Sequence, residues 1–323
     1  GIFGIVPDYD LNVMKQSQTL EYVTSAIMEK FSAILDKELP DMVLVHGDTA
    51  TCLICSLASF YKKIPVGHVE AGLRTHDIYS PFPEEMNRKL VASLATLHFS
   101  PTESNKQNLL DEKVPEENIF VTGNTGIDAL DTTVDEGYVF ECPQLNNIDF
   151  IGKRVIAMTA HRRENLGKPL EDICKAVLEI SERFENVHFV YPVHPNPAVR
   201  NTVFPLLGNH PGILLTDFIS VSDNHNLMKR SYMVMTDSGG LQEEAPALGK
   251  PVLVLRKETE RPEAVEMGTV KLSGINKDDI VLDAVQLLTD QKIYKSMATA
   301  VNPYGDGKAS MRILTAVKQY LSK

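Results

Sequence analysis

The sequence predicts an α/β protein built from two doubly wound parallel sheets. Short β-rich runs alternate with longer helical patterns almost from end to end, which is the first reason. Most of those runs are continuously apolar rather than alternating, as expected of parallel strands covered on both faces. A third observation sets the number of sheets. The alternation pauses at 135–153, "DEGYVFECPQLNNIDFIGK", which is polar and punctuated by Pro and Gly, and then restarts with a fresh strand. At 323 residues the chain has room for two domains of about 100–200 residues each.

The elements follow in order. "LEYVTSAIMEKFSAIL" places Leu20, Val23, Ile27, Phe31 and Ile34 on one helical stripe. Strands are expected at 42–47, 64–69, 97–101 and 119–123, with "EEMNRKLVASLA" reading as a helix among them. After the pause come strands at 154–159, 187–193, 212–217, 232–237 and 251–256. "PLEDICKAVLEISERF" and "KASMRILTAVKQYL" read as amphipathic helices in this second stretch. Strand–helix alternation of this kind requires right-handed crossovers. The opening "GIFGIVPDYDLNVM" carries no strand and no Gly-rich turn, whereas a doubly wound domain usually starts on its central strand. The first strands of the first domain are therefore expected to be absent from this chain.

Composition excludes several classes of partner. A net charge of −11 with no basic stripe argues against nucleic acid and anionic membrane surfaces, though a local helix end or arginine can still bind a small anion. No apolar run approaches the ~20 residues of a membrane span, and no leader pattern opens the chain. Cys52 and Cys55 form a C-x-x-C inside a small-residue helical pattern with no second pair. Together with Cys142 and Cys174 they read as thiols of a reducing cytoplasm, not as zinc ligands. No carboxylate–histidine set has metal spacing, so no metal is expected.

In open α/β sheets, ligands bind outside the carboxyl ends of the strands. Five expected strand ends carry polar groups: Asp48; Glu70; His161 with Arg162 and Arg163; His194 with Asn196; and Asp237 with Ser238, Gly239 and Gly240. The last, "SGGLQEEA", is a strand-to-helix turn whose glycines let a backbone approach a ligand. Its first-turn N–H groups favour an anion such as a pyrophosphate. Glu243 and Glu244 lie one turn on, where a carboxylate could accept ribose hydroxyls; alone, the turn reads equally well as an ordinary helix N-cap. It is not a GxGxxG, so the dinucleotide fingerprint is absent. In "YSPFPEEMNR", Pro83 and Glu84 begin a helix, and Glu85 with Arg88 suits an ion pair. Arg74 and Arg261 are loop arginines and candidate phosphate contacts. His46, His68 and His98 read as core or supporting groups.

These blocks resemble a known family. "VLVHGDTATCL", "IPVGHVEAGLRT", "YSPFPEEMNR", "FVTGNTGIDAL", "TAHRRENLG", "VYPVHPNP", "TDSGGLQEEAPALGKPVLVLR", "TERPEAVEMGT" and "NPYGDGKAS" are similar to the bacterial non-hydrolysing UDP-N-acetylglucosamine 2-epimerases, from about residue 5 to residue 320. The resemblance implies the two Rossmann-like domains of the GT-B fold, facing a cleft: 1–123 with 306–323, the final helix crossing back, and 124–305. It implies interconversion of UDP-GlcNAc and UDP-N-acetylmannosamine for cell-envelope polysaccharides, without a redox cofactor or metal, by a cytoplasmic homodimer. Asp48, Glu70, Glu84 and His161 are the implied catalytic groups. His194, Ser238, Gly239, Gly240, Glu244, Arg261 and Arg88 are the implied substrate contacts, and Gln18 is part of an implied second, activating UDP-GlcNAc site. The family's opening "GTRPEA"-like loop and "QHREM"-like segment have no counterpart, so this chain enters the pattern about fifty residues late, consistent with the expected loss of opening strands.

Two other readings stay open at this level. A UDP-sugar glycosyltransferase of the same fold also needs a nucleotide-binding helix, though transfer requires at most one base where three carboxylates stand here. A UDP-sugar-binding protein with impaired catalysis is the second.

Overall fold

The computed structural model describes residues 2–15, 18–259 and 261–323. The chain divides into two compact units: residues up to Asp128 together with Tyr304–Lys323, and Ala129–Pro303. The sequence placed the divisions after 123 and before 306. The first division falls inside the helix Thr125–Thr133.

In the first unit four strands, β1 (Val43–His46), β2 (Val66–Val69), β3 (Leu97–Ser100) and β4 (Ile119–Val121), form one parallel sheet in the order β1-β2-β3-β4. The register pairs His46 with Val69 and Val69 with Phe99, so the carboxyl ends of β1 to β3 lie level. Helix α1 (Leu20–Glu38) is capped by the Thr19 hydroxyl, and α2 (Ala50–Tyr61) by Thr49. The stripe on α1 is shifted from the sequence reading: Ile27 and Leu35 are buried, while Leu20 is 44% exposed on the first turn. Cys52 and Cys55 are buried in α2, packed with Ile54, Val45 and Val66. Among the described residues before α1 there is no strand, and Leu11 and Val13 lie against that same core.

Helices α3 (Glu84–Leu94) and α4 (Glu103–Asp111) follow β2 and β3, and α5 (Thr125–Thr133) follows β4. The last helix of the chain, α13 (Ala309–Leu321), packs Ile313 and Ala316 on Leu97 and Phe99 of β3. Asp128 accepts from the amides of Ala309 and Ser310 at 3.0 and 2.7 Å, which anchors the start of α13 to the first unit.

The second unit holds six parallel strands: β5 (Arg154–Thr159), β6 (Val187–Pro192), β7 (Ile213–Thr216), β8 (Met233–Thr236), β9 (Val252–Val254) and β10 (Val270–Leu272). Their order is β10-β9-β8-β5-β6-β7, so the winding reverses between β5 and β8. Strand β10 escaped the sequence reading: it is a three-residue edge strand, Val-Lys-Leu, too short to show an apolar run. Helix α6 (Lys168–Arg183) buries Leu170, Ile173, Cys174, Val177 and Ile180 in one core with Ile156, Phe189 and Tyr191. Burial of such side chains is worth about 1.5–3 kcal/mol each.

The polar pause at 135–153 is ordered and belongs to this second unit. Phe140 stacks on Phe150 at 5.9 Å, and Asp223 accepts from the amides of Glu141 and Cys142, each at 2.9 Å. Among the described residues, no helix is long and apolar enough to cross a membrane.

Candidate active site

A doubly wound sheet opens a crevice where its winding reverses, because the connections after the two neighbouring strands leave in opposite directions. In the second unit those strands are β5 and β8. His161 follows β5 and Ser238 follows β8, and both line a cavity of about 410 Å³. His194, after β6, lines it too, with its ring stacked on that of His161 at 4.9 Å and 12°. Gly240 and Glu244, from α9 (Gly239–Ala247), complete the group that the sequence brought forward.

The turn into α9 leaves its donors available. Ser238 occupies the N-cap position, yet its hydroxyl makes no capping hydrogen bond. The first N–H groups of a helix have no partner within it, so this end suits an anion. Gly239 is required by a different neighbour: a Cβ there would lie 2.5 Å from Nη1 of Arg261. Arg261 is held in place by Glu243, to whose Oε1 its Nε donates at 2.5 Å, with both side chains largely buried. Glu243 therefore supports Arg261 and does not face the cavity, and Glu244 is the carboxylate on the cavity wall. Buried His225 approaches Glu244 Oε2 at 3.4 Å through Nε2, and its Nδ1 is 2.7 Å from the Thr133 hydroxyl.

Burial pushes the His161 imidazole below its ordinary pKa, an effect that the Asp237 carboxylate opposes and that His194 and Arg162 reinforce. The ring is therefore mainly neutral near pH 7.

The sequence reading missed one whole wall of the cavity. Phe218, Ser220, Val221, Asn224 and His225 come from the connection after β7 and from α8 (Val221–Arg230). Phe218 is 72% exposed at the rim, with its ring edge-on to His194 at 6.4 Å. The signal was present: "FIS" follows an expected strand, and Ser220 is an N-cap signature.

The first unit gathers the acidic residues. Asp48 follows β1 and Glu70 follows β2, the neighbouring strand. Gly47 lies between their backbones: its N–H donates to the Val69 carbonyl at 3.0 Å, and a Cβ on it would meet Glu70 Oε2 at 3.2 Å. Glu70 has a φ of +66°, a left-handed conformation that costs a non-glycine residue about 1–3 kcal/mol. Asp48 is gripped by Arg88, whose Nε and Nη2 both donate to Oδ2, at 3.0 and 2.6 Å. The same guanidinium reaches Glu85 at 3.3 Å, and Glu85 also accepts from the amides of Thr75 and His76.

Arg88, an implied substrate contact in the sequence, supports Asp48 in this way. Glu84 begins α3 one turn earlier, and its buried Oε2 has no hydrogen-bond partner. His68 donates from Nε2 to the Gly47 carbonyl at 2.8 Å, fixing the loop that bears Asp48.

Two further candidates have partners within the protein. Arg74, a phosphate candidate in the sequence, is spent on Glu112 through two hydrogen bonds of 2.8 and 2.6 Å, with its side chain fully buried. Gln18 closes its own loop, accepting from Lys15 N at 2.9 Å. Among the described residues, no group of three or more His, Cys, Asp or Glu could hold a metal.

Residues 2–318 match the family model for UDP-N-acetylglucosamine 2-epimerase. The chain belongs to that family. It is 52% identical over 313 residues to the UDP-N-acetylglucosamine 2-epimerase of Bacillus subtilis, covering 97% of this chain and 81% of the relative. Among solved structures it is similar to S. aureus MnaA in complex with UDP, with 49% identity, a TM-score of 0.91, and coverage of 99% and 85% of the two chains. It is also similar to the Neisseria meningitidis UDP-GlcNAc 2-epimerase bound to UDP-GlcNAc, with 44% identity, a TM-score of 0.88, and coverage of 98% and 87%. Both structures match the two-unit, parallel-sheet architecture of this family member along nearly all of its length.

Proposed function

We propose that this chain interconverts UDP-GlcNAc and UDP-N-acetylmannosamine by inverting C2 of the sugar. The observation that carries the reading is the acidic edge of the first unit, where Asp48 and Glu70 close neighbouring strands and Glu84 opens the helix whose Arg88 holds Asp48. Inversion at C2 needs a base for one face and an acid for the other, because the C2 proton is only weakly acidic. Such groups contribute about 10²–10⁴ each in rate.

The balanced route is elimination followed by addition. A carboxylate takes the C2 proton, the C1–O bond breaks with its electron pair going to the diphosphate, and a C1=C2 double bond forms. The diphosphate oxygen then attacks C1 of this 2-acetamidoglucal while a proton is delivered to the opposite face of C2. No electrons leave the system, so no redox partner is required.

The cavity of the second unit supplies the groups that suit UDP: the Ser238–Gly240 turn for the diphosphate, Glu244 for the ribose, and His194 beside it. Arg261 adds positive charge where the leaving group gains negative charge, and His161 lines the same cavity. The reading also includes a cytoplasmic homodimer that UDP-GlcNAc activates at a second site near Gln18. The four free cysteines, three of them buried, support the compartment.

Incubation with UDP-GlcNAc in D₂O, without an acceptor, tests the reaction. Deuterium should enter at C2. A protein that binds UDP but leaves C2 fully protiated would instead be a transferase or a binding protein.

A further inference from the structure

Asp237 directly follows β8 in the second unit and has no exposed surface. Its Oδ2 accepts three hydrogen bonds: from the amides of His161 and Arg162, each at 2.7 Å, and from Asn165 Nδ2 at 3.0 Å. One carboxylate oxygen thus fixes the whole loop after β5. The other oxygen, Oδ1, is buried with no hydrogen-bond partner and stands 3.7 Å from His161 Nδ1. A buried carboxylate oxygen without a donor is costly, and the imidazole N–H is a donor that a small ring movement brings into range.

We propose that Asp237 is the positioning residue of His161. Its Oδ1 takes the Nδ1 proton, so Nε2 is the atom presented to the cavity. Its negative charge then supports the imidazolium whenever Nε2 gains a proton. A carboxylate behind a histidine fixes tautomer and orientation in this way, while the carboxylate itself stays ionised. Two other groups face the ring: His194, stacked from the end of β6, and Arg162 from the same loop, and both oppose protonation. Asp237 is the acidic group set against them. The kinetic part of this inference rests on the epimerase reading; the tautomer does not.

The first measurement uses ligand-free protein labelled with ¹⁵N-histidine, with the His161 signals identified by their loss in His161→Gln. The Nδ1–H tautomer is expected, and an Nε2–H tautomer would overturn the proposal even in a protein with no epimerase activity. The second measurement is Asp237→Asn. It should lower kcat about 100-fold with KM changed less than about threefold, as for a misoriented histidine. The limb of the pH–rate profile governed by His161 should move to lower pH, since the anion favouring the imidazolium is gone. An unmoved limb, with a fall in melting temperature and a rise in KM, would reduce Asp237 to scaffolding and sink the assignment. Should the variant not fold, the wild-type tautomer decides the question.

Discussion

At the acidic edge of the first unit, Asp48 and Glu85 share one guanidinium, and Glu85 takes two backbone amides besides. Around the cavity of the second unit, the Ser238 hydroxyl caps nothing, two imidazoles stack, and an aromatic ring stands open at the rim. One region has Asp48 and Glu85 matched within the protein; the other leaves donors unspent. The contrast fits two tasks. Groups that move protons must be held still before the substrate arrives, and prior pairing does this without reorganisation during reaction. A site for a charged nucleotide needs donors that water, not protein, occupies beforehand.

The comparison breaks most visibly if a residue from either side is dispensable. His161→Ala and Asp48→Asn should each reduce turnover by about 10²–10⁴. The circular dichroism and melting of each variant should stay close to wild type. Turnover near the wild-type rate in either variant removes that residue from the reaction.

The internal matching of the acidic edge is tested next. Arg88→Ala leaves Asp48 and the buried Glu85 without their cation, and breaking such a pair costs about 3 kcal/mol when the partner charge stays buried. Urea unfolding should show the loss, and Arg88→Lys should recover only part of it, because an ammonium cannot span both carboxylates with a planar fork. A change under about 0.5 kcal/mol, the range of ordinary surface substitutions, would mean that the network does not hold the edge together.

Acid should separate the two units. Burial lowers His68 to about 3 and His98 to about 4, and both belong to the first sheet. Each is neutral when folded and takes up a proton on unfolding, so its contribution is intact above the unfolded pKa and is lost as pH falls toward the folded value. Between pH 6.5 and 5 this amounts to about 2 kcal/mol for a fully buried histidine. In the second unit His161 and His188 are also lowered by burial, but both are partly exposed, so their share is smaller. Hydrogen exchange at pH 5 should therefore show the first unit opening before the second, and His68→Gln should narrow the gap. Equal protection in both units at pH 5 would count against the two histidines as the cause.

Much of this was legible in the sequence, and for physical reasons. Continuous apolar runs such as "RVIAMT" mark strands covered on both faces, and a polar residue directly after such a run sits at the open end of the sheet. That logic found Asp48, Glu70, His161, His194 and the Ser238–Gly240 turn. It failed where the deciding feature is a partner distant in sequence. Nothing local distinguishes Glu243 from Glu244; Arg261 captures one and leaves the other to the cavity. Arg74 likewise looked free until Glu112, 38 positions on, took two of its donors. Strand β10 was lost for a different reason: three residues with a lysine in the middle carry too little pattern to read.

The smallest effect gives the sharpest test of the second region, because the two glycines of its turn do different things. A methyl on Gly240 would meet only Glu244 Oε1, at 3.6 Å, so the folded protein has room for it. Gly240 lines the cavity, however, and that methyl would take space beside the first-turn amides. Gly240→Ala should leave the melting temperature unchanged and weaken UDP binding about tenfold by calorimetry, or about 1.4 kcal/mol. Gly239→Ala should behave in the opposite sense. Its methyl would press on Arg261, whose guanidinium is tied to Glu243, so stability falls first and any loss of UDP follows from the displaced arginine. If Gly240→Ala binds UDP as wild type does, the diphosphate does not rest on this turn, and the unspent donors of the second unit serve something else.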